Sequence, residues 1–189
     1  MEPNQDTKSH LSARRPAVFL DRDGTLIVDV GYPKDPARVE RLSGAAEAMR
    51  TLQQAGYALI VISNQSGIAR GIITPQQAQA VHDRFLEVFA QESVHFEGVY
   101  YCPHGSKENC ACRKPQPGLL RQAVDEHGLD PRQSFVVGDK LSDIQAGKAI
   151  GCRGVLLRSC YVDDPGDLPD FVVSTWKEAL QAMIGDPAR

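Results

Sequence analysis

The chain has 189 residues, of which 42% are hydrophobic and 24% charged, and its formal net charge at pH 7 is −3. This composition predicts one globular domain with a sizeable core, and the slight acidic excess offers no basic surface for nucleic acid. No apolar run approaches the length of a membrane span. Five cysteines, partly clustered and without a secretory leader, indicate the reducing cytoplasm and a metal site rather than disulfides. We expect a cytoplasmic monomer.

The chain alternates short apolar runs with amphipathic stretches. Residues 1–15 are polar and are expected to form a flexible extension ahead of a single domain over residues 16–189. Apolar runs predict strands over residues 17–21, 57–62, 98–101, 135–137, 155–157 and 171–173. Helical periodicity predicts helices that begin near residues 45, 74, 117, 142 and 175, with capping boxes at Thr74 and Ser142. This alternation predicts an α/β fold with a mostly parallel sheet and helices on both faces.

Polar side chains follow three of the predicted strands, at Asp21, Ser63 and Asp139. Ligands of such sheets bind beyond the carboxyl ends of the strands, so these three residues are expected to share one site. Side chains alternate along an extended chain, which directs Asp21 and Asp23 to one side and Arg22 to the other. Neighbouring carboxylates repel one another unless a cation lies between them, and Mg²⁺ suits carboxylates combined with a substrate phosphate.

The stretch Asp21-Arg22-Asp23-Gly24-Thr25 resembles motif I of the haloacid-dehalogenase-like (HAD-like) phosphatases. The resemblance implies that Asp21 is a nucleophile that becomes an aspartyl phosphate, and that Asp23 serves as general acid and then as general base. Ser63 resembles the motif II hydroxyl and Lys114 the motif III lysine, both of which contact the phosphoryl group. Asp139 resembles motif IV. The implied Mg²⁺ shell consists of the Asp21 and Asp139 carboxylates with the backbone carbonyl of Asp23.

The same resemblance implies a Rossmannoid sheet, and no large cap domain is evident in the sequence. Two assignments stay open at this point. Ser63 and Asn64 also suit an ordinary turn. Asp143 either supports the metal shell or is only an acidic residue at a helix start.

A cluster of possible metal ligands follows the third predicted strand. Cys102, His104, Cys110 and Cys112 lie within eleven residues. Thiolates and imidazole in a tetrahedral set favour Zn²⁺, and a site with four protein ligands is closed and structural. Such a site would hold the loop from which Lys114 emerges. The alternative is free thiols beside a surface histidine.

The remaining cysteines and histidines carry no such pattern. Cys152 and Cys160 are expected to be core or surface thiols. His82 and His127 show no evident partners in the sequence.

Within the superfamily, about residues 16–160 resemble the D,D-heptose 1,7-bisphosphate phosphatases. The segments that carry this resemblance are residues 19–25, 29–32, 64–71 and 112–118, together with the cysteine cluster. It implies removal of the 7-phosphate of D-glycero-D-manno-heptose 1,7-bisphosphate, on the route to ADP-heptose and the lipopolysaccharide core. The implied cofactors are catalytic Mg²⁺ and structural Zn²⁺.

The implied partner is a small sugar phosphate, with no nucleic acid and no membrane. The residues expected to contact it are Asp29, Gly31, Tyr32, Ser63, Asn64, Gln65, Ser66, Arg113, Lys114 and Lys140. Arg113 is expected to recognise the distal 1-phosphate, because a guanidinium fork suits a second phosphate better than a cationic amine.

Two other phosphatase classes share these motifs. Histidinol-phosphate phosphatases have the same catalytic motifs and zinc loop, and the five-residue gap between His104 and Cys110 is typical of them. The Gly31-Tyr32 loop, Arg113 and Pro117-Gly118 favour the heptose substrate instead. A nucleic-acid 3′-phosphatase shares motif I, but the acidic net charge and the lack of a basic arm oppose it.

A zinc-binding module without enzymatic activity is the other alternative. It would leave the motif residues without a common function. The sequence does not determine the anomer of the heptose.

Overall fold

The computed structural model describes residues 14–158 and 164–185. The strands are β1 (Ala17–Leu20), β2 (Ala58–Asn64), β3 (Gly98–Cys102), β4 (Phe135–Gly138), β5 (Arg153–Leu157) and β6 (Phe171–Val173). The helices are α1 (Ala45–Gln54), α2 (Pro75–Ala90), α3 (Gly118–His127), α4 (Leu141–Lys148) and α5 (Trp176–Ile184), with 3₁₀ turns at Pro36–Arg38 and Pro131–Gln133. The predicted strands and helices are confirmed, with ends that move by a few residues.

All six strands are parallel and follow the order β3-β2-β1-β4-β5-β6. The central strand β1 pairs with β2 on one side, with Ala17 opposite Ala58, and with β4 on the other, with Val18 opposite Phe135. The strand order reverses between β1 and β4. A crevice forms outside the carboxyl ends of the strands at such a reversal, and it is the usual ligand site of these sheets.

Helices cover both faces of the sheet, which explains why its strands are apolar throughout. Alternate residues of β1 face opposite cores. Val18 and Leu20 pack with residues of α1, α2 and α5, whereas Ala17 and Phe19 pack with residues of α3 and α4. Between β1 and α1, residues 21–44 contain only one 3₁₀ turn and isolated bridges. Within the described ranges, the expectation of an α/β fold without a large cap domain is confirmed.

The two predicted capping boxes have different outcomes. Thr74 Oγ1 accepts from the Gln77 N–H at 3.1 Å and Gln77 Oε1 accepts from the Thr74 N–H at 2.9 Å, as predicted. The prediction at Ser142 is wrong, because α4 begins at Leu141 and Lys140 is its N-cap. There Asp143 Oδ2 accepts from the Lys140 N–H at 3.0 Å. The acid at the third helical position therefore satisfies the free donor ahead of the helix.

Some predictions fall outside the described residues. These are Cys160 and most of the extension predicted over residues 1–15. Arg15, the last residue of that extension, already belongs to the folded domain: its carbonyl accepts from the Asp130 N–H at 2.9 Å. None of the helices in the described ranges combines the length and the hydropathy needed to cross a bilayer.

The C-terminal helix α5 is anchored to the loop after β1. Trp176, its first residue, is 1% exposed, and its indole N–H donates to the Thr25 carbonyl at 2.8 Å. Thr25 belongs to the Asp-x-Asp-Gly-Thr motif, so this hydrogen bond connects α5 to the turn that contains the motif.

We expect Trp176→Phe to lower the free energy of unfolding by about 1–3 kcal/mol, because it leaves the Thr25 carbonyl buried without its donor. Urea denaturation of both proteins measures the change. Lys177→Ala, at an exposed position of the same helix, is the control and should leave the midpoint within experimental error. An unchanged midpoint in Trp176→Phe would contradict the anchoring role.

Candidate active site

The residues predicted for catalysis converge at the strand-order reversal. Asp21 follows β1, Ser63 lies near the end of β2 and Asp139 follows β4. Because β1 lies between β2 and β4, the three strand ends are neighbours. A cleft of about 50 Å³ forms there, and its lining residues are Asp21, Asp23, Ser63, Asn64, Lys114, Lys140, Ser142 and Asp143.

Lys114 is the central cation of the cleft. It is 4% exposed, and its Nζ donates to Asp21 Oδ1 at 2.6 Å, to Asp143 Oδ1 at 2.8 Å and to the Ile62 carbonyl at 2.5 Å. Burial acts to lower the pKa of Lys114, but Asp143 and Asp21 outweigh it and the pKa is raised. The ammonium therefore stays charged and holds the Asp21 carboxylate in a fixed position. Asp143 contributes a second anchor for this lysine in addition to capping α4.

A group of buried carboxylates surrounds this lysine. Asp21, Asp139 and Asp143 each offer an oxygen, and these oxygens lie within 4.8 Å of one another. Asp139 is fully buried, and burial together with the Asp21 charge raises its pKa to about 7. Lys140 Nζ lies 3.7 Å from Asp139 Oδ2. Oxygen donors that repel one another in a buried cleft are suited to a hard cation such as Mg²⁺.

Gly24 makes room for this carboxylate group. Its φ is +87°, a left-handed conformation that favours glycine, and a Cβ at this position would collide with the Asp139 carboxylate. The glycine of the Asp-x-Asp-Gly-Thr motif therefore allows β1 and β4 to bring their acids together. The residues present fit a bound divalent cation.

Asp23 lies in the same cleft but has a different set of partners. The Arg22 guanidinium donates to both of its oxygens, with 2.9 Å between Nη2 and Oδ2, and Gln65 Nε2 donates to Oδ2 at 2.7 Å. Ser63 Oγ lies 3.5 Å from Oδ2. Burial raises the pKa of the Asp23 carboxyl, and Arg22 acts against this shift without cancelling it. This environment suits a group that gains and loses a proton during a reaction.

The expectation that Arg22 points away from both acids is wrong in one respect. Asp21 and Asp23 line the cleft together as predicted, but Arg22 folds back onto Asp23 because its buried guanidinium needs a carboxylate partner. The expectation that His82 has no partner is also wrong, since its Nδ1 lies 2.8 Å from the Tyr101 hydroxyl. His127 likewise has a partner, with 2.9 Å between its Nε2 and the Tyr100 hydroxyl. These partners come from distant parts of the chain, which local sequence patterns do not reveal.

Asn64 joins the second strand to the lysine loop. Its Oδ1 accepts from the Lys114 N–H at 3.1 Å and its Nδ2 donates to the Lys114 carbonyl at 3.1 Å. The side-chain amide of Asn64 therefore clamps the backbone of the lysine. Gln65 donates to Ser63 Oγ at 2.9 Å in addition to Asp23.

The loop expected to contact substrate lies beside the cleft. Asp29 Oδ2 lies 3.4 Å from Lys140 Nζ, and Asp29 Oδ1 accepts from the Gly31 N–H at 2.8 Å. Tyr32 is 37% exposed, and its hydroxyl accepts from Arg70 Nη1 at 2.7 Å. Ser66 is half-buried, and its carbonyl accepts from the Arg70 N–H at 3.2 Å. Arg70, which the sequence did not single out as a site residue, links the two loops.

The four expected zinc ligands form one cluster. The Sγ atoms of Cys102 and Cys110 are 3.7 Å apart and those of Cys102 and Cys112 3.2 Å apart. His104 Nδ1 lies 3.2 Å from Cys112 Sγ, and all four ligand atoms are within 4.8 Å of one another. Three sulfur atoms and one imidazole nitrogen at this spacing fit a tetrahedral Zn²⁺ site. Cys152 is buried in a hydrophobic core, one of the two locations expected for it.

Arg113 lies between the cysteine cluster and the cleft. Its Nη1 donates to the His104 carbonyl at 3.1 Å. It lines a cavity of about 510 Å³, to which Lys114 also contributes. Lys114 lines the small cleft as well, so the two cavities share this residue.

Comparisons with known proteins agree on one family. Residues 111–179 match the model of the HAD-hydrolase-like family. A D-glycero-beta-D-manno-heptose-1,7-bisphosphate 7-phosphatase of Escherichia coli is 46% identical over 179 residues, covering 89% of this chain and 93% of the relative. The protein of the same name in Haemophilus influenzae is 44% identical over 152 residues, covering 76% of this chain and 82% of the relative.

Solved structures give the same result. A D,D-heptose 1,7-bisphosphate phosphatase from B. bronchiseptica, complexed with magnesium and phosphate, has a TM-score of 0.82 and is 31% identical. The match covers 90% of this chain and 98% of that one. The sequence matches cover 82% and 93% of these relatives, and the structural match covers 98% of the neighbour chain. The chain therefore belongs to the D-glycero-beta-D-manno-heptose-1,7-bisphosphate 7-phosphatase family of HAD-like phosphatases.

Proposed function

We propose that this chain hydrolyses the C7 phosphate of D-glycero-D-manno-heptose 1,7-bisphosphate through an aspartyl phosphate on Asp21. The observation that carries the proposal is the buried contact of Lys114 with Asp21 beside Asp139, at the strand-order reversal. The names of the relatives supply the substrate, and the Escherichia coli and Haemophilus influenzae proteins are named for the β anomer. We infer that the β anomer is preferred, and that histidinol phosphate is not the substrate in spite of the short gap between His104 and Cys110.

The reaction has two steps. Asp21 attacks phosphorus, the bond from phosphorus to the C7 oxygen breaks, and Asp23 gives its proton to that oxygen, which leaves as the heptose 1-phosphate alcohol. Asp23 then takes a proton from water, and the resulting hydroxide attacks the phosphorus of the aspartyl phosphate. This attack releases inorganic phosphate and restores Asp21. One carboxyl serves both proton transfers because burial moves its pKa upward from the ordinary range.

Charge is the obstacle that the cleft must overcome, since a phosphate dianion approaches a carboxylate nucleophile. Lys114 and the Ser63 hydroxyl are the donors that we assign to the phosphoryl oxygens. We assign the carboxylates of Asp21 and Asp139 and the carbonyl of Asp23 to hold Mg²⁺, which when bound neutralises charge on the acids and the phosphate. Asp143 is already committed to Lys114 and to the Lys140 N–H, and we give it the role of positioning the lysine.

The remaining assignments stay predictions. Asp29, Gly31, Tyr32, Asn64, Gln65, Ser66 and Lys140 line or adjoin the path to the cleft, and we propose that they shape the sugar site. All described cysteines are free thiols, which fits a reducing compartment, and a cytoplasmic location is proposed on that basis. The monomeric state is likewise a prediction.

A side-by-side turnover assay tests the substrate. We expect the purified protein with Mg²⁺ to give the highest kcat/KM with the β anomer of the heptose bisphosphate, compared with the α anomer and histidinol phosphate. Asp21→Asn should lower kcat by about 10³-fold or more, because it removes the nucleophile. Its zinc content should equal that of the wild type, which shows that the protein is folded. A higher kcat/KM for histidinol phosphate, or an active Asp21→Asn protein, would refute the proposal.

We also propose that Cys102, His104, Cys110 and Cys112 hold a structural Zn²⁺. The substitution Cys112→Ser should remove bound zinc and lower the melting temperature, because a closed site adds its binding free energy to folding. Elemental mass spectrometry and thermal unfolding measure the two effects. Cys152→Ala is the matched control, since this buried cysteine lies in the core, and it should retain one zinc ion per chain. Full zinc content in Cys112→Ser would exclude this ligand set.

Arg113 is proposed to bind the 1-phosphate in the cavity that it shares with Lys114. We expect Arg113→Ala to lower kcat/KM for the bisphosphate by about 10- to 100-fold, the effect of losing charged hydrogen bonds. The loss with heptose 7-phosphate, which lacks the distal group, should be much smaller. Arg121→Ala, an exposed arginine of α3, is the control. Equal losses on both substrates would show that Arg113 does not recognise the distal phosphate.

A further inference from the structure

A chain of polar contacts extends from Asp23 away from the cleft. Arg22 Nη2 lies 3.1 Å from Asp23 Oδ1 and 2.9 Å from Oδ2. On the other side, Arg22 Nη1 lies 3.4 Å from the Tyr101 hydroxyl, which lies 2.8 Å from His82 Nδ1. The contacts therefore connect the loop after β1 with β3 and α2.

The direction of these hydrogen bonds follows from the chemistry of the groups. A guanidinium can only donate, so the Tyr101 oxygen accepts from Arg22, and the same hydroxyl lies within hydrogen-bond distance of His82 Nδ1. Burial lowers the pKa of this half-buried histidine. The Arg22 guanidinium also lies over the Tyr101 ring, with 5.4 Å between Cζ and the ring centroid. Arg22 is thus held by contacts that do not involve the cleft.

The burial of Arg22 gives these contacts their importance. The residue is 2% exposed, and a buried charge is costly unless a partner of opposite charge accepts its hydrogen bonds. Asp23 is that partner. Its Oδ2 also accepts from Gln65, whereas Oδ1 has only Arg22 as a hydrogen-bond partner within the described residues. A planar fork on both oxygens fixes the plane of the carboxyl group.

We propose that Arg22 is a positioning residue for proton transfer, which holds the Asp23 carboxyl in the orientation needed to protonate the leaving oxygen, with Tyr101 and His82 bracing the guanidinium. The inference rests on the proposed function, since it assigns Arg22 to the step in which Asp23 acts as general acid. It predicts a defect that depends on how much the leaving group needs a proton. A merely structural ion pair would affect all substrates alike.

The leaving-group dependence of Arg22→Met provides the test. The heptose alcohol is a poor leaving group and needs the acid, whereas the phenol of p-nitrophenyl phosphate departs without it. We expect kcat/KM to fall by about 10- to 100-fold with the heptose bisphosphate, and by less than about fivefold with p-nitrophenyl phosphate. The first loss is smaller than the roughly 10²- to 10⁴-fold contribution of general acid catalysis, because Asp23 itself is still present. The ratio kcat/KM is used because it excludes the later hydrolysis step. Equal losses on the two substrates would overturn the inference.

Chemical rescue gives a second readout that folding defects cannot imitate. A cavity of about 180 Å³ adjoins the network, and Arg22, Gln65, Tyr101 and His82 contribute to its lining. We expect guanidinium ions at millimolar concentration to restore turnover of the heptose bisphosphate in Arg22→Ala, with no gain in the wild type. Failure of guanidinium to raise turnover in a folded Arg22→Ala protein would count against the inference.

The neighbouring residue supplies a milder variant. Tyr101→Phe keeps the ring under the guanidinium and removes only the hydroxyl, so the same selective loss should appear, by about three- to tenfold. If Arg22→Met does not fold, this variant decides the outcome, and equal losses on both substrates would again overturn the inference. Arg50→Met is the matched control, because Arg50 is also paired with a carboxylate, Glu92, but lies outside the cleft.

Failure of the inference is distinguishable from failure of the proposed function. A wild-type protein that does not hydrolyse the bisphosphate, or that keeps its activity in Asp21→Asn, refutes the function. An active wild type with an inactive Asp21→Asn variant and an Arg22→Met variant that loses activity equally on both substrates refutes only the inference.

Discussion

The buried ion pair of Lys114 with Asp21 and Asp143 is the interaction on which the site depends. Three carboxylates of the cleft lie within reach of one ion, and burial raises the cost of each uncompensated charge. Lys114 compensates two of them at 2.6 and 2.8 Å, and Lys140 Nζ lies 3.7 Å from Asp139, whose pKa burial raises to about 7. The cleft thus combines the Lys114 ammonium with several carboxylate oxygens that can act as metal ligands. This arrangement suits the binding of Mg²⁺ together with a phosphate.

Contacts on both sides of its loop position Lys114 in the cleft. Its loop connects β3 to α3, and the cysteine cluster begins at Cys102, the last residue of β3. Cys112 lies two residues before Lys114, so a metal held by the cluster would fix the loop close to its functional end. From the other side, Asn64 at the end of β2 pairs with both backbone groups of the lysine. The cysteine cluster and the carboxylate cleft are therefore connected through one loop.

Sequence patterns predicted those features of the structure that depend on residues close together in the chain. Apolar runs predicted the strands, and the Asp-x-Asp-Gly-Thr motif predicted two of the acids. Both signals are carried by residues that are adjacent in the sequence. The patterns were less informative where a side chain chooses among several partners. Ser142 is of a residue type that often caps helices, yet Lys140 is the N-cap and Asp143 accepts a hydrogen bond from its N–H. The pairing of Asn64 with the backbone of Lys114 could not be read from the sequence, and Arg22 binds Asp23 rather than pointing away from it.

By itself, the sequence determined the fold class, the candidate acids and the candidate zinc ligands, since periodicity and motif spacing are properties of the chain. Only the tertiary structure decided which groups share a charge environment. Asp143 became a partner of Lys114, and Tyr101 and His82 became the support of Arg22, through contacts between residues far apart in sequence. The physical reason is that hydrogen bonds and ion pairs depend on distances of about 3 Å, and packing of the parallel sheet and its helices sets those distances.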